Sequence, residues 1–126
     1  MTGERILIVE DNEMNMKLFR DVLVATGYRT LEATRGSEAV DMASEHAPDL
    51  VLMDIQLPDL DGVQALHRLR ANARTARIPV LALTAQAMQG DRERFLAAGF
   101  DGYLSKPVDV RELIGTVREH CDRLAG

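Results

Sequence analysis

The sequence predicts a doubly wound α/β fold in which helices cover both faces of a five-stranded parallel sheet. Five short apolar runs alternate with longer amphipathic stretches along the 126 residues. Three runs, at 6–9, 50–53 and 80–83, are continuously apolar, which is typical of strands buried on both faces of a parallel sheet. The other two predicted strands are the runs 28–33 and 102–104. Strands that alternate with helices of this length imply right-handed crossovers.

Helical patterns fill the stretches between these strands. In the first helix, Leu18, Val22 and Ala25 are predicted to share one helix face, with Phe19 and Leu23 flanking it. Later helices repeat the same three- and four-residue spacing. Gly27 and Gly99 follow helical stretches at points where a left-handed cap would end a helix. The last helix is predicted at 110–124.

The composition fits one globular domain that spans 1–126. Hydrophobic residues make up 46% of the chain and charged residues 28%. The net charge of −5 argues against a nucleic-acid-binding surface, which needs clustered Lys and Arg. No apolar run approaches the roughly 20 residues that cross a bilayer. The single cysteine, Cys121, fits a reducing cytoplasm.

Polar side chains stand at four of the predicted strand ends. Glu10 and Asp11 follow the first strand, Asp54 follows the third, Thr84 the fourth, and the fifth runs into Lys106. In open parallel sheets the active crevice lies beyond the carboxyl ends of the strands. The sequence therefore predicts a shared pocket containing these five side chains.

The residue types in this pocket favour phosphoryl transfer. Three carboxylates in one pocket repel one another unless a cation lies among them, and an incomplete set of oxygen ligands suits Mg²⁺. Lys106 adds a fixed positive charge, and the Thr84 hydroxyl can donate to a phosphoryl oxygen. A carboxylate at the centre of this set, Asp54, would be the nucleophile and form an aspartyl phosphate.

Each residue alone has a simpler interpretation. A single Asp at a strand end more often caps the next helix, and a Lys-Pro pair is usually a turn. These interpretations give no reason for three acids and a lysine to converge on one edge of one sheet. The combination therefore favours a functional site.

Five segments resemble the receiver domain of bacterial two-component response regulators. They are the residues at 6–12, 48–58, 61–62, 78–85 and 103–107. The resemblance spans the whole chain and implies a flavodoxin-like (βα)5 fold with no output domain. More narrowly, the stretches 12–19, 53–58 and 87–91 resemble the DivK group of single-domain cell-division regulators.

The resemblance implies a role for each residue around the acceptor. Asp54 would be the phosphorylated residue. Asp11 and Asp54 would bind Mg²⁺ through their carboxylates and Gln56 through its backbone carbonyl, with Mn²⁺ as a substitute. Glu10, which stands where Asp is also common, would act on the metal mainly through a bound water.

The resemblance also implies a switch. Lys106 would pair with the phosphoryl group, and Thr84 would close onto it while Tyr103 rotates inward. The Lys106–Pro107 bond is expected to be cis. The protein would not be a turnover enzyme, since it would catalyse only its own phosphorylation and slow autodephosphorylation.

The implied partners are proteins, with no nucleic acid and no membrane. A sensor histidine kinase or a histidine phosphotransfer protein would donate the phosphoryl group, and we expect it to dock near Asn15 and Leu18 on the first helix. A downstream kinase or adaptor would contact the face of helix 4, strand 5 and helix 5, at Arg92, Phe95 and Val108. The chain is expected to be a cytoplasmic monomer that can be recruited to membrane-bound kinases.

Four alternatives share part of this pattern. A flavodoxin-type FMN binder would need a Ser-, Thr- or Gly-rich phosphate loop where Glu10-Asp11-Asn12 stands. A Mg²⁺-dependent aspartyl-phosphate phosphatase would carry its nucleophile after the first strand. A purely scaffolding pseudo-receiver does not need the acceptor set. A receiver module from a hybrid histidine kinase or a multidomain regulator remains open.

Three histidines match no metal-ligand spacing. We expect His46, His67 and His120 to lie at the surface.

Overall fold

A five-stranded parallel sheet forms the centre of the fold. A computed structural model describes residues 3–85 and 91–125, apart from the side chains at 91, 92 and 122–125. The strands are β1 (Arg5–Val9), β2 (Arg29–Ala33), β3 (Leu50–Asp54), β4 (Val80–Thr84) and β5 (Gly102–Ser105). Their order is β2-β1-β3-β4-β5, and every neighbouring pair is parallel. The predicted fold class is confirmed, and each predicted strand differs from the observed one by a single residue at one of its ends.

Five helices connect the strands. They are α1 (Glu13–Thr26), α2 (Gly36–His46), α3 (Gly62–Ala71), α4 (Asp91–Ala98) and α5 (Val110–Ala125). Gly27 and Gly99 have φ angles of 106° and 115°, so both adopt the left-handed conformation predicted for helix ends. Within the described residues, no helix is long and apolar enough to span a bilayer.

The two faces of the sheet bury separate apolar clusters. On one face, side chains such as Ile8 and Leu52 pack against α1 and α5. On the other, side chains such as Val51 and Ala82 pack against α2, α3 and α4. All five residues of β3 and of β4 are buried, because helices cover both of their faces. The carboxyl ends of these strands are thereby held in a rigid frame.

The buried side of α1 includes Phe19 and Leu23, the two residues predicted to flank the face of Leu18. Met16, Phe19 and Leu23 are the buried residues of this helix, whereas Leu18 is 40% exposed. One residue along a helix turns the side chain by about 100°. Because Phe19 and Leu23 set the rotation of the helix, Leu18 is turned away from the core.

The prediction that all three histidines lie at the surface is wrong for His120. Its side chain on α5 is 9% exposed, whereas His67 is exposed and His46 half-buried. The buried face of α5 contains Leu113 and Val117, and His120 lies three residues after Val117. The helical period therefore brings the imidazole to the same face.

The turn between β3 and α3 brings backbone close to backbone. Asp61 caps α3 in a capping box with Gln64, and Gly62 is the first residue of the helix. A Cβ atom at Gly62 would lie 2.8 Å from the carbonyl oxygen of Asp54 and 2.9 Å from Cα of Ile55. Only glycine allows this approach without moving the backbone that follows Asp54.

Gly62→Ala should destabilise the fold by about 1–3 kcal/mol, because the added methyl meets backbone atoms rather than a movable side chain. Gly115→Ala is the matched control, since a Cβ at Gly115 on α5 would have no atom within 4 Å. This second change should stabilise the fold by about 0.5–1 kcal/mol, because alanine favours the helix. Urea unfolding measures both. A Gly62→Ala protein as stable as the unmodified chain would contradict the described turn.

Candidate functional site

The carboxyl ends of β1 and β3 lie side by side at the point where the strand order reverses. Val9 and Met53 are partners in the register of these strands, so Glu10 and Asp54 emerge next to each other. Thr84, at the end of β4, is paired with Ser105 at the end of β5, and Lys106 follows directly. Crevices at such a reversal are the usual ligand sites of open parallel sheets.

Three carboxylates meet in this crevice. Glu10, Asp11 and Asp54 each offer an oxygen atom, and these atoms lie within 4.8 Å of one another. Glu10 is 1% exposed and Asp54 is 4% exposed, whereas Asp11 lies open to solvent. Two of the three charges are thus largely withdrawn from water. The three acids that the sequence placed together are together in the structure.

One ammonium group lies between the two buried carboxylates. Lys106 Nζ is 2.7 Å from Oε1 of Glu10 and 2.9 Å from Oδ2 of Asp54. The backbone of this lysine is held by its N–H, which donates to the Thr84 carbonyl at 2.7 Å. The peptide bond to Pro107 is cis, as expected from the sequence. The lysine therefore fixes the acids of two different strands at once.

Backbone N–H groups hold the remaining carboxylate oxygens. Oδ1 of Asp54 accepts from the N–H of Gln56 at 2.9 Å, and Oε2 of Glu10 accepts from the N–H of Asn12 at 3.2 Å. The side chain of Asn12 also caps α1 by accepting from the N–H of Asn15. The orientation of Asp54 is consequently fixed by one side chain and one backbone group.

The electrostatics of the crevice oppose three ionised acids. Burial raises the pKa of Glu10, and the neighbouring Asp54 adds to this rise against the effect of Lys106. Burial alone would lower the pKa of Lys106, but Glu10 and Asp54 outweigh it and raise that pKa. Lys106 therefore stays charged while the acids compete for it.

The donor set fits a small, hard divalent cation. Three carboxylates face one ammonium, and a dication would balance the two remaining negative charges. Oxygen donors confined to one side of a cation leave room for water ligands, as Mg²⁺ requires. The residues present thus agree with the metal expected from the sequence.

Thr84 and Tyr103 lie on the same face of the sheet. Tyr103 is the register partner of Ala82, and Thr84 comes two residues after Ala82. Paired residues point to the same face and side chains alternate along a strand. Thr84 is 5% exposed, and the half-buried Tyr103 has its ring centroid 6.1 Å from that of Phe95. The two side chains of the predicted switch therefore lie on one face of two adjacent strands.

The predicted readout residues do not form one surface. Phe95 is 2% exposed and packs edge-on against Phe100, so its ring is not accessible to a partner and instead supports Tyr103. Val108 packs against the cluster beneath α1 and α5, on the opposite face of the sheet from Tyr103. The side chain of Arg92 lies outside the described residues. On the donor side, Asn15 is half-buried and Leu18 is exposed, and their role in docking stays a prediction.

The sequence did not predict one contact of the loop between β3 and α3. Asp59 accepts from the N–H groups of Gly36 and Ser37 at 2.7 and 3.1 Å, and from the Ser37 hydroxyl at 2.6 Å. It caps α2 from a distant loop, because Arg35 provides no side-chain cap. A cap separated by 22 residues leaves no local sequence signal.

The family follows from comparison with known proteins. A model of the response regulator receiver domain matches residues 6–118. The chain belongs to the response regulator receiver family. It is thus a receiver domain of two-component signalling. Domains of this family interact with histidine kinases or phosphotransfer proteins and with downstream proteins.

Individual relatives agree with this family. The receiver is 49% identical over 115 residues to the polar-differentiation response regulator DivK of Brucella anthropi, covering 91% of this chain and 94% of that protein. It is 42% identical to the receiver domain of the sensor histidine kinase PA1611 of Pseudomonas aeruginosa, with a TM-score of 0.86 over 94% of this chain and 97% of that one. That structure has a magnesium ion coordinated in its active site cleft. The receiver domain of Francisella response regulator 1452 has a TM-score of 0.89 at 27% identity, over 96% and 98% of the two chains.

Asp59→Ala should lower the stability of this receiver in a pH-dependent way. The Ser37 hydroxyl, together with the N–H groups of Ser37 and Gly36, holds the pKa of Asp59 well below its ordinary value of 3.8. Because the pKa is lower in the folded than in the unfolded state, the charged carboxylate stabilises the fold at any pH above its ordinary pKa. This stabilisation is lost as the pH falls below the ordinary pKa towards the lowered one. The difference in urea midpoint between the two proteins should be constant from neutral pH to about pH 5 and shrink towards about pH 3.

Asp41→Ala is the control on the same helix, because Asp41 is exposed and α2 begins five residues earlier. It should leave the urea midpoint close to that of the unmodified receiver. A difference for Asp59→Ala that does not change with pH would contradict the role of the charged cap.

Proposed function

We propose that this receiver is a phospho-acceptor switch whose Asp54 takes a phosphoryl group from a phosphohistidine. The observation that carries the proposal is the setting of the Asp54 carboxylate. It is 4% exposed, it lies 2.9 Å from Lys106 Nζ, and two further carboxylates lie within 4.8 Å. A simple helix cap would have none of this surrounding charge.

The chemical step is a displacement at phosphorus. A carboxylate oxygen of Asp54 attacks the phosphorus atom, an O–P bond forms and the N–P bond to the donor imidazole breaks. The imidazole leaves with the electron pair of that bond and takes up a proton. Asp54 is held for this step by Lys106 and by the N–H of Gln56, so little reorganisation precedes the attack.

The residues around Asp54 then receive the transferred group. The Lys106 ammonium, released from one carboxylate oxygen, pairs with a phosphoryl oxygen, and the Thr84 hydroxyl donates to another. The acyl phosphate favours the arrangement in which Thr84 and Tyr103 have moved inward. Phosphorylation thereby shifts a population of states rather than creating a new fold.

Mg²⁺ is the cofactor that we assign to the crevice. Asp11 and Asp54 would hold it by carboxylate oxygens, Gln56 by its carbonyl and Glu10 through a water molecule. When bound, the ion neutralises charge on the group being transferred. The magnesium ion in the cleft of the PA1611 receiver domain supports this assignment, and Mn²⁺ would substitute.

The biological setting that we propose is control of cell division by protein contacts. The similarity to DivK extends over 94% of that regulator, which supports a comparable role for the receiver domain at 1–126. In this setting the receiver is a cytoplasmic monomer that a sensor kinase recruits and that modulates a kinase or adaptor. The similarity to the PA1611 domain supports a second candidate, a receiver module of a hybrid histidine kinase.

Incubation with a small phosphodonor and Mg²⁺ should add one phosphoryl group to the chain, as measured by intact mass. Asp54→Asn should abolish the addition, since it removes the nucleophilic oxygen, and a chelator should suppress it in the unmodified protein. Asp41→Asn, a change to an exposed acid on α2, is the control and should be phosphorylated normally. Addition of the group to Asp54→Asn under the same conditions would refute the assignment.

Leu18→Ala should separate donor docking from chemistry. Leu18 is 40% exposed on α1, the helix that begins beside Asp11. We expect Leu18→Ala to slow phosphotransfer from a histidine kinase active on the unmodified receiver, by about tenfold or less. Its phosphorylation by a small phosphodonor should be unchanged, because that donor needs no docking surface.

Tyr103→Ala is the matched comparison. Tyr103 belongs to the readout side, so its truncation should leave the kinase reaction intact. If Tyr103→Ala slows phosphotransfer and Leu18→Ala does not, the two surfaces have been assigned the wrong way round.

A further inference from the structure

The face formed by α4, β5 and α5 contains a polar cavity that phosphoryl transfer does not use. Its volume is about 390 Å³. Three carboxylates line it, those of Asp101, Glu112 and Glu119, and the described residues of its lining include no Lys or Arg. The remaining polar lining consists of hydroxyl side chains and one imidazole. The cavity is therefore rich in hydrogen-bond acceptors.

The three carboxylates are not equivalent. Asp101 is neutralised within the fold, because its Oδ2 lies 2.9 Å from Arg70 Nη2 and 2.8 Å from the N–H of Val80. Glu112 is exposed in the first turn of α5, and its carboxylate has no ion pair within the described residues. Glu112 therefore has its charge available for a partner.

His120 provides a second and independent indication. Its side chain is 9% exposed, and Nδ1 lies 2.9 Å from the carbonyl oxygen of Thr116. A carbonyl can only accept, so Nδ1 carries the hydrogen and Nε2 of the neutral ring is an acceptor. Nε2 is buried without a hydrogen-bond partner, and its edge of the ring points towards Gly102 in the cavity wall. Unsatisfied buried acceptors are rare enough to require a reason.

The rim of the cavity is apolar and aromatic. Leu96 of α4 is 42% exposed, and Tyr103 of β5 is half-buried beside it. A planar cation can stack on an aromatic face while its N–H groups reach several acceptors. A compact lysine ammonium offers only a point charge in the same space.

We propose that this cavity receives an arginine side chain of the protein that reads the phosphorylation state of the receiver. The guanidinium would donate to the carboxylate of Glu112 and, after a small turn of the ring, to Nε2 of His120, with its plane against Tyr103. This inference rests on the proposed function, because it gives the chemistry of the partner for the switch. In this proposal, the residues that select a positively charged partner, Glu112 and His120, lie on α5 and not in the crevice at Asp54.

The features of the cavity disfavour other occupants. An acidic segment would be repelled by Glu112 and its neighbours. A metal ion would need converging ligands, and among the described residues the acidic crevice at Asp54 is the one group of three that could hold one. An arginine satisfies the charge, the unpaired imidazole nitrogen and the aromatic rim together.

The test is a titration of the whole receiver with Nα-acetyl-arginine amide, followed by NMR. We expect saturable shifts of the amides of β5 and α5 and of the His120 Nε2 resonance, with a dissociation constant on the order of millimolar. Nα-acetyl-citrulline amide has nearly the same shape without the charge. It should bind about tenfold more weakly, and the lysine derivative should also bind more weakly than arginine.

Two variants and one control locate the binding. Glu112→Gln changes an exposed residue, so it should fold normally and weaken arginine binding at least about threefold. His120→Gln should remove the ring resonance and weaken binding as well. Glu45→Gln, at an exposed acid on α2, should change nothing. Equal binding of citrulline, unchanged binding by Glu112→Gln, or shifts confined to the Asp54 crevice would each overturn the proposal.

A parallel phosphorylation assay separates this proposal from the proposed function. Glu112→Gln should accept a phosphoryl group from a small phosphodonor as readily as the unmodified receiver. If phosphorylation succeeds and arginine does not bind in the cavity, only the proposed partner chemistry is wrong. If the unmodified receiver is not phosphorylated at Asp54, the proposed function itself fails, whatever the titration gives.

Discussion

The ion cluster formed by Lys106, Glu10 and Asp54 is the interaction on which the functional end of this molecule depends. Two carboxylates that are almost fully removed from water lie beside each other, and one ammonium contacts both. Without the lysine, the acids of β1 and β3 would repel each other in a poorly hydrated crevice. The cluster therefore joins three strands electrostatically and leaves an excess of negative charge. That excess makes the crevice suited to a dication. A bound dication and Lys106 together could then balance the charge of a phosphoryl group.

The sheet makes this cluster possible. Only a parallel arrangement brings the carboxyl ends of all the strands to one edge, and the order β2-β1-β3-β4-β5 sets β1 beside β3. The fully buried strands β3 and β4 hold Asp54 and Thr84 on a rigid base. Asp54 and Thr84 thus stand on neighbouring strands, with Tyr103 one strand further. Asp54 on β3 is therefore separated from Tyr103 on β5 by one intervening strand.

The sequence was sufficient to predict the features that depend on the spacing of apolar residues and on which residues follow each parallel strand. Buried strands, helix ends at Gly27 and Gly99, and the meeting of Glu10, Asp11, Asp54 and Lys106 all follow from local patterns read onto a parallel sheet. The rotation of individual helices was harder, because Leu18 and Phe19 are both apolar and packing decides which one is buried. Packing also decides that the side chain of His120 is buried. Its position three residues after Val117 indicates the buried face of the helix, whereas histidine as a residue type is more common at the surface.

Long-range contacts were beyond sequence reasoning for a different reason. The cap that Asp59 gives to α2 depends on how a loop folds over another part of the chain. The same is true of Phe95, which follows four charged residues in the sequence yet packs against Phe100 and Tyr103. Pairings of this kind are set by tertiary geometry, and a single sequence does not encode them locally.

The loop from Asp54 to Gly62 is tied down more firmly than its position beside a switch would suggest. The N–H of Gly62 donates to the carbonyl of Ile55, Gly62 itself touches the backbone after Asp54, and Asp59 anchors the loop to α2. This half of the crevice cannot easily yield when a bulky dianion is attached to Asp54. If Asp54 is phosphorylated as proposed, we therefore expect displacement on the other side of the crevice, at β4 and β5, while this loop keeps its position.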